Sequence, residues 1–268
     1  SNMITGSKCD ETTDYEWNYD LDISGFTAFC EALAATKTLT SLDLSNCGLS
    51  VNGVNPVAKA ISAGAALNEV NVAFNQIGSE GGIALRDALK TSNLKFIAIG
   101  KMYTSAGGTV ITGSQLTTGV TLSAGGRLGE LTYGPDSASN VKLKWADTGK
   151  ESSYMNLHSL DGEPLKLPLQ SPFEGEHLDL AHQQLDPGYV LLLSWWLGTE
   201  FSAVVNSLTI DSTGIITMQK IVRVRDVELV KLQSVDDVHV PGETFLEDLP
   251  AQLVHGRQRV PMQGRVVL

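Results

Sequence analysis

Histidines, cysteines and strand-borne acids are the residues here whose types could do chemistry. His158, His177, His182, His239 and His255 would hold a metal or move a proton only with a partner at ligand spacing on one element. None has another His, a Cys or a carboxylate so placed, and His177 and His182 fall across an expected strand and turn, pointing in unrelated directions. A catalytic thiolate needs an activating neighbour to lower its pKa, and Cys9 sits in a polar leader with no His nearby. Cys30, beside Phe29 on an inward helix face, and Cys47, at a turn, read as buried structural thiols. Asp43 and Asp179 each sit between two leucines of an expected strand, so both project outward, with no second acid for a general acid/base couple. No nucleophile-elbow, phosphate-loop or dinucleotide motif is present. The chain reads as non-enzymatic, with no catalytic residue, metal or cofactor expected.

Binding chemistry is what remains, and a repeat positions it. Leu39, Leu42, Leu44, Cys47 and Leu49 return 28 residues later as Leu67, Val70, Val72, Asn75 and Ile77. Gly25, Gly53 and Gly81 share that period, as do Phe29, Val57, Leu85 and Leu33, Ile61, Leu89. The last two sets lie four apart, on one face of a helix. Both copies fit L-x-x-L-x-L-x-x-N/C-x-L, so the chain resembles a leucine-rich-repeat protein, with full helices of the ribonuclease-inhibitor-like form. The resemblance implies an α/β solenoid, parallel strands inside and helices outside, and a binding surface.

The composition, 42% apolar, is that of a folded protein, and no run approaches a membrane span. The polar stretch after Met3 lacks a secretion-signal core, so a cytoplasmic protein is expected. A net charge of −11, concentrated in the first fifty residues, repels nucleic acid and anionic lipid, so neither nucleic acid nor membrane is an expected partner.

Taken in order, residues 1–102 read as an N-terminal cap followed by repeats. Residues 1–12 are expected to be frayed, Tyr15, Trp17, Tyr19 and Leu21 to form a cap strand, and a third repeat strand to carry Leu94, Ile97 and Ile99. Residues 103–162 change to short strands and turns, the clearest a hairpin of 141–145 with 152–154 across 146–149. From Gly126 through Trp145 and Tyr154 to Leu160 this segment is similar to small SH3-like barrels, which implies a small all-β insert that binds a partner, with Trp145 and Tyr154 as its aromatics. The alternative for both rings is core. Pro164, Pro168 and Pro172 make 163–176 an expected linker. In 177–268 the repeat returns at Leu178, Leu180, Gln183 and Leu185, with Gln183 in the Asn/Cys slot, a departure that puts the turn in question. An apolar helix from Tyr189 to Leu197 should be covered on more than one side, by the insert or by self-association. Strands over 215–232, a helix over 244–254 and an arm over 258–268 complete the expectation.

Residues between the buried strand positions face outward. They are Ser41, Asp43 and Ser45, then Glu69, Asn71 and Ala73, then Phe96, Ala98 and Gly100, with Phe74 just past its strand. Asp43, Ser45, Glu69, Asn71, Phe74 and Phe96, with Trp145 and Tyr154, form the expected binding set. A scaffold binding a protein partner is the leading expectation. A structural subunit, or a regulator of an enzyme such as a GTPase, is the alternative.

Overall fold

The computed structural model describes residues 4–10, 16–136, 139–210, 223–224, 227–228 and 265–267. Chain order is β1 (Lys8–Asp10), β2 (Glu16–Asn18), α1 (Ser24–Ala35), β3 (Ser41–Asp43), α2 (Val51–Ser62), β4 (Glu69–Asn71), α3 (Gly78–Leu89) and β5 (Phe96–Thr104). The insert follows: β6 (Val110–Ile111), β7 (Thr121–Ala124), β8 (Arg127–Tyr133), β9 (Asn140–Trp145) and β10 (Met155–Asn156). Then come β11 (Gly162–Pro168), β12 (His177–Asp179), α4 (Pro187–Leu197), β13 (Ser207–Thr209) and the short strands β14 (Arg223–Val224), β15 (Val227–Glu228) and β16 (Arg265–Val267). The strands expected over 215–232 lie outside the described residues apart from β14 and β15. So do the expected helix over 244–254, the arm over 258–268 apart from β16, and Tyr15.

The repeat builds a sheet in the order β11-β5-β4-β3, with β3, β4 and β5 parallel and in register. Leucine-position residues Val70, Val72, Ile97 and Ile99 are buried on one side against α2 and α3. The turns after β3, β4 and β12 are each fixed by a left-handed residue, Asn46, Phe74 and His182, directly before Cys47, Asn75 and Gln183. Asn75 Oδ1 accepts from the N–H groups of Cys47 at 3.1 Å and Leu49 at 3.0 Å, while its Nδ2 donates to the Leu44 carbonyl at 2.8 Å. Backbone groups that the turn leaves unpaired are thereby satisfied inside the stack. Gln183 keeps this role: it is buried and bonds both the N–H and the carbonyl of Lys101. The turn that the Gln183 substitution put in question is therefore intact.

One core runs from Phe26 through the first repeats into Leu178, Leu180, Leu185 and the α4 side chains. Asp186 joins the blocks, accepting from Gly78 N–H at 2.7 Å at the start of α3 and from Gly188 and Tyr189 N–H at 2.8 and 3.1 Å at the start of α4. A carboxylate at two helix N-termini is favoured by both dipoles. Tyr189 Oη donates to the Val72 carbonyl and accepts from Asn75 N–H.

Three expectations are corrected. Thr5 and Ser7 are buried and hydrogen-bond to the Gly48 carbonyl, so the N-terminal stretch is tied down where fraying was expected. Residues 163–168, expected to open a linker, belong to β11, which runs antiparallel to β5. The expected hairpin forms across 146–149, with Gly149 at φ 66° and Ser152 N–H donating to the Leu143 carbonyl at 2.7 Å, and the pairing with β9 continues at Met155–Asn156. The apolar helix α4, for which the insert or a second chain was the expected cover, packs chiefly on α3, with the 200–202 turn and Phe173, edge-on to Trp196, beside it. Tyr189, Leu192, Leu193, Trp196 and Leu197 are all buried, which removes the reason for expecting self-association there.

The insert has its own core of Leu122, Leu131, Val141, Leu143, Leu157 and Leu160 beneath the sheet β10-β9-β8-β7. β5 serves both cores, with Ile97 and Ile99 in the first and Tyr103 in the second.

Candidate functional site

The inner face of the strands carries most of the expected set. Register places Ser41 beside Glu69 and Glu69 beside Phe96, then Asp43 beside Asn71 and Asn71 beside Ala98. Ser41 Oγ donates to Glu69 Oε1 at 2.8 Å, and Lys166 Nζ, from β11, donates to Glu69 Oε2 at 2.6 Å. The same ammonium stands 5.8 Å from the centre of the Phe96 ring. The Lys166 ammonium and the Ser41 hydroxyl hold the Glu69 carboxyl below its ordinary value. Ser41, Glu69, Lys166 and Phe96 thus form one continuous row, polar at one end and aromatic at the other.

Asp43 and Asn71 do a structural job that the sequence reading missed. Asp43 Oδ1 accepts from Ser45 N–H at 2.8 Å, Asn71 Oδ1 from Ala73 N–H at 3.1 Å, and Asp179 Oδ1 from Ala181 N–H at 3.0 Å. The same turn closes three strands, and its signal was the Asp or Asn preceding Leu44, Val72 and Leu180. Asp43 stays exposed, and Ser45 and Asn71 are half-buried.

The far end of the face is closed. Asp179, expected outward, is buried: its Oδ2 accepts from the N–H and hydroxyl of Ser114 in the insert. Burial pushes its carboxyl up, but the hydrogen bonds from Ser114 and neighbours outweigh that and hold it low. Ala73, Ala98 and Gly100, also expected outward, are buried, Gly100 against the Gln183 side chain. Phe74, in the left-handed region at φ 58°, sets its ring 5.9 Å from that of His158 in the insert. Lys101 Nζ donates to the carbonyls of His158, at 2.9 Å, and Leu160. Burial lowers the pKa of Lys101, and burial then the Lys101 charge lower that of His158.

Trp145 and Tyr154 lie apart from this face. Trp145 is half-buried against the insert core, with the Arg127 guanidinium 4.2 Å above its ring. Tyr154 is exposed, edge-on to Tyr133 at 5.4 Å, with Lys142 Nζ 4.3 Å from its ring centre. The alternative of two core rings therefore fails for Tyr154. Burial pushes the Cys30 thiol up to about 11, and burial and then Asp43 raise that of Cys47. Neither supplies a thiolate at neutral pH.

Among the described residues no group of three or more His, Cys, Asp or Glu side chains is placed to hold a metal ion. No helix among them is long and apolar enough to cross a membrane. Comparison with protein families matches the leucine rich repeat over residues 37–58 and 67–85, the units of β3 with α2 and β4 with α3. The chain therefore carries leucine-rich repeats. Comparison with curated proteins gives no match, and comparison with solved structures gives none.

Proposed function

We propose that this chain is a non-enzymatic scaffold that binds a protein partner through the open end of its inner strand face. Leucine-rich repeats generally mediate protein–protein contact, and the row Ser41, Glu69, Lys166 and Phe96 is the observation that carries the reading here. Neighbouring strands of one sheet hold these side chains at a fixed spacing, so a partner meets a preorganised surface and little side-chain entropy is lost on contact. Asp43, Ser45 and Asn71 extend the row, and the insert closes its far end over Phe74, so the surface is short and directional. The helices and repeat spacing support the ribonuclease-inhibitor-like form of solenoid. The antiparallel sheet of the insert supports an SH3-like module, whose exposed Tyr154 and Tyr133, with the half-buried Lys142 beside them, form a second contact surface.

The test is a quantitative capture of bound proteins from source lysate with the wild-type chain and with a folded Asp43→Lys, Glu69→Lys, Phe96→Ala variant. The expected result is a partner held by the wild type and lost from the variant. Identical partners on both proteins would remove the strand face from consideration, and Tyr154→Ala would then test the insert.

A further inference from the structure

On the helix side of the repeats, away from the strand face, a groove of about 460 Å³ runs between α1 and α2. That volume lies within the range of small-ligand sites. Small residues keep it open, with the buried Cys30 and Ala60 in its floor and Ala34 and Ala63 at one end. Its walls are polar. Thr27 and Glu31, four residues apart on α1, form one wall, and Asn52, Asn55 and Lys59 of α2 form the other. Among the described residues no ion pair or hydrogen bond engages these five side chains. The 28-residue period puts Glu31 and Lys59 at one position of neighbouring helices, and Thr27 and Asn55 at another, so each pair faces across the groove. α3 carries Ile83 and Asp87 at these positions, and Asp87 is held by Arg86 and Lys90 of its own helix, each at 2.9 Å. The polar walls with two uncommitted, opposite charges therefore distinguish the first groove.

We propose that this groove binds a small zwitterion of the α-amino acid class, one with a short apolar side chain. A ligand lying between the helices meets a carboxylate on one wall and an ammonium on the other. Its own ammonium pairs with Glu31 and its carboxylate with Lys59, two charge-assisted hydrogen-bonding contacts that a singly charged ligand cannot make together. The Thr27 hydroxyl and the Asn55 carboxamide, one turn nearer the helix N-termini, offer donors and acceptors to the remaining N–H and oxygen positions. One turn the other way the lining is Ala34 and Ala63, with Ala60 beneath. That end suits a side chain of a few carbons and holds nothing polar for a longer one. Glu31 and Lys59 are exposed, so solvent screens both contacts and the affinity is about millimolar.

Amide NMR of the full chain, titrated with L-valine to about 50 mM, tests this. The expected result is a set of saturable shifts centred on the groove residues of α1 and α2. Isobutylamine, which lacks the carboxylate, and isovalerate, which lacks the ammonium, each bind about tenfold more weakly. Glu31→Gln and, separately, Lys59→Met each weaken valine by about tenfold, with circular dichroism and melting temperature retained because both side chains are exposed. Shifts that fail to saturate overturn the proposal, and are the result expected if Glu31 and Lys59 close on each other across the groove in solution. A valine affinity unchanged in both variants, or matched by either singly charged analogue, overturns it too. The strand face of the proposed partner contact is a separate surface, so the capture experiment above stands or fails independently.

Discussion

Gln183 grips the backbone of Lys101 with both ends of its amide: Oε1 accepts the N–H at 2.6 Å, and Nε2 donates to the carbonyl at 3.0 Å. It does for the second block what Asn75 does for the first, and its extra methylene supplies the longer reach. Replacement by Ala leaves two part-buried backbone groups of Lys101, in β5, without this partner. At about 1–3 kcal/mol for each orphaned group, Gln183→Ala is expected to cost about 2–4 kcal/mol in urea unfolding. Gln183→Asn carries the same groups on a shorter arm and should fall between. A loss below about 0.5 kcal/mol for the Ala variant would show that the blocks do not depend on this pair.

The junction of α3 with α4 makes a second demand. A Cβ on Gly82 would strike the Gly188 carbonyl, and one on Gly188 would strike the Gly78 carbonyl. Backbone cannot give way as a side-chain tip can, so Gly82→Ala should destabilise the chain by about 2 kcal/mol. Gly25→Ala, with open space around it, should leave the monomer unchanged or up to about 0.5 kcal/mol more stable. Equal unfolding midpoints for the two variants would contradict the close helix approach.

Legibility in the sequence followed the range of the interactions. The repeat strands and helices were legible because the 28-residue period writes each core position twice, and the family match falls on those units. β11 was misread because Pro164 and Pro168 outweighed the alternation of Leu165, Leu167 and Leu169, which is a strand signal. Pro164 and Pro168 are tolerated because an edge position spares ladder hydrogen bonds. Lys166 was missed for the same reason, since only the return of β11 onto β5 brings it to Glu69. Asp179 looked like surface because its local pattern is that of Asp43, and the Ser114 that covers it lies 65 residues away.

The Glu69–Lys166 pair makes a prediction about acid. Glu69 has a folded pKa below its unfolded one, so its contribution to stability is present above the ordinary glutamate range and is lost as pH falls through the lower folded value. Lys166→Met removes the main cause. In a carboxyl NMR titration the Glu69 midpoint should move up toward the ordinary range, with only the Ser41 hydrogen bond still holding it down. Because the side chains of Lys166 and Glu69 are 38% and 34% exposed, solvent screening keeps the stability change at neutral pH under about 1 kcal/mol. An unmoved midpoint would mean that the ammonium does not stay on Glu69 in solution.

His158 gives the opposite end of the face a pH dependence that can be isolated. Its imidazole is half-buried 5.9 Å from the Phe74 ring, and burial and then the Lys101 charge disfavour the charged form, so the folded pKa lies below the ordinary value of about 6.5. Between those two values the unfolded chain binds more protons than the folded one. Stability from this group is therefore full above about pH 6.5 and declines as pH falls through the lower folded value. Hydrogen exchange of the amides over 155–160, compared at about pH 7.5 and 5 after correction for intrinsic rates, should show the clamp weakening at the lower pH. His158→Gln cannot take up the proton and should flatten that difference. Phe74→Asn tests the other partner, since Asn accepts the left-handed backbone more readily but loses the ring contact. It should loosen the same amides at both pH values while leaving the slope due to His158 smaller. If His158→Gln retained the full wild-type slope, the insert would be held over the inner face by Lys101 and Ser114 alone.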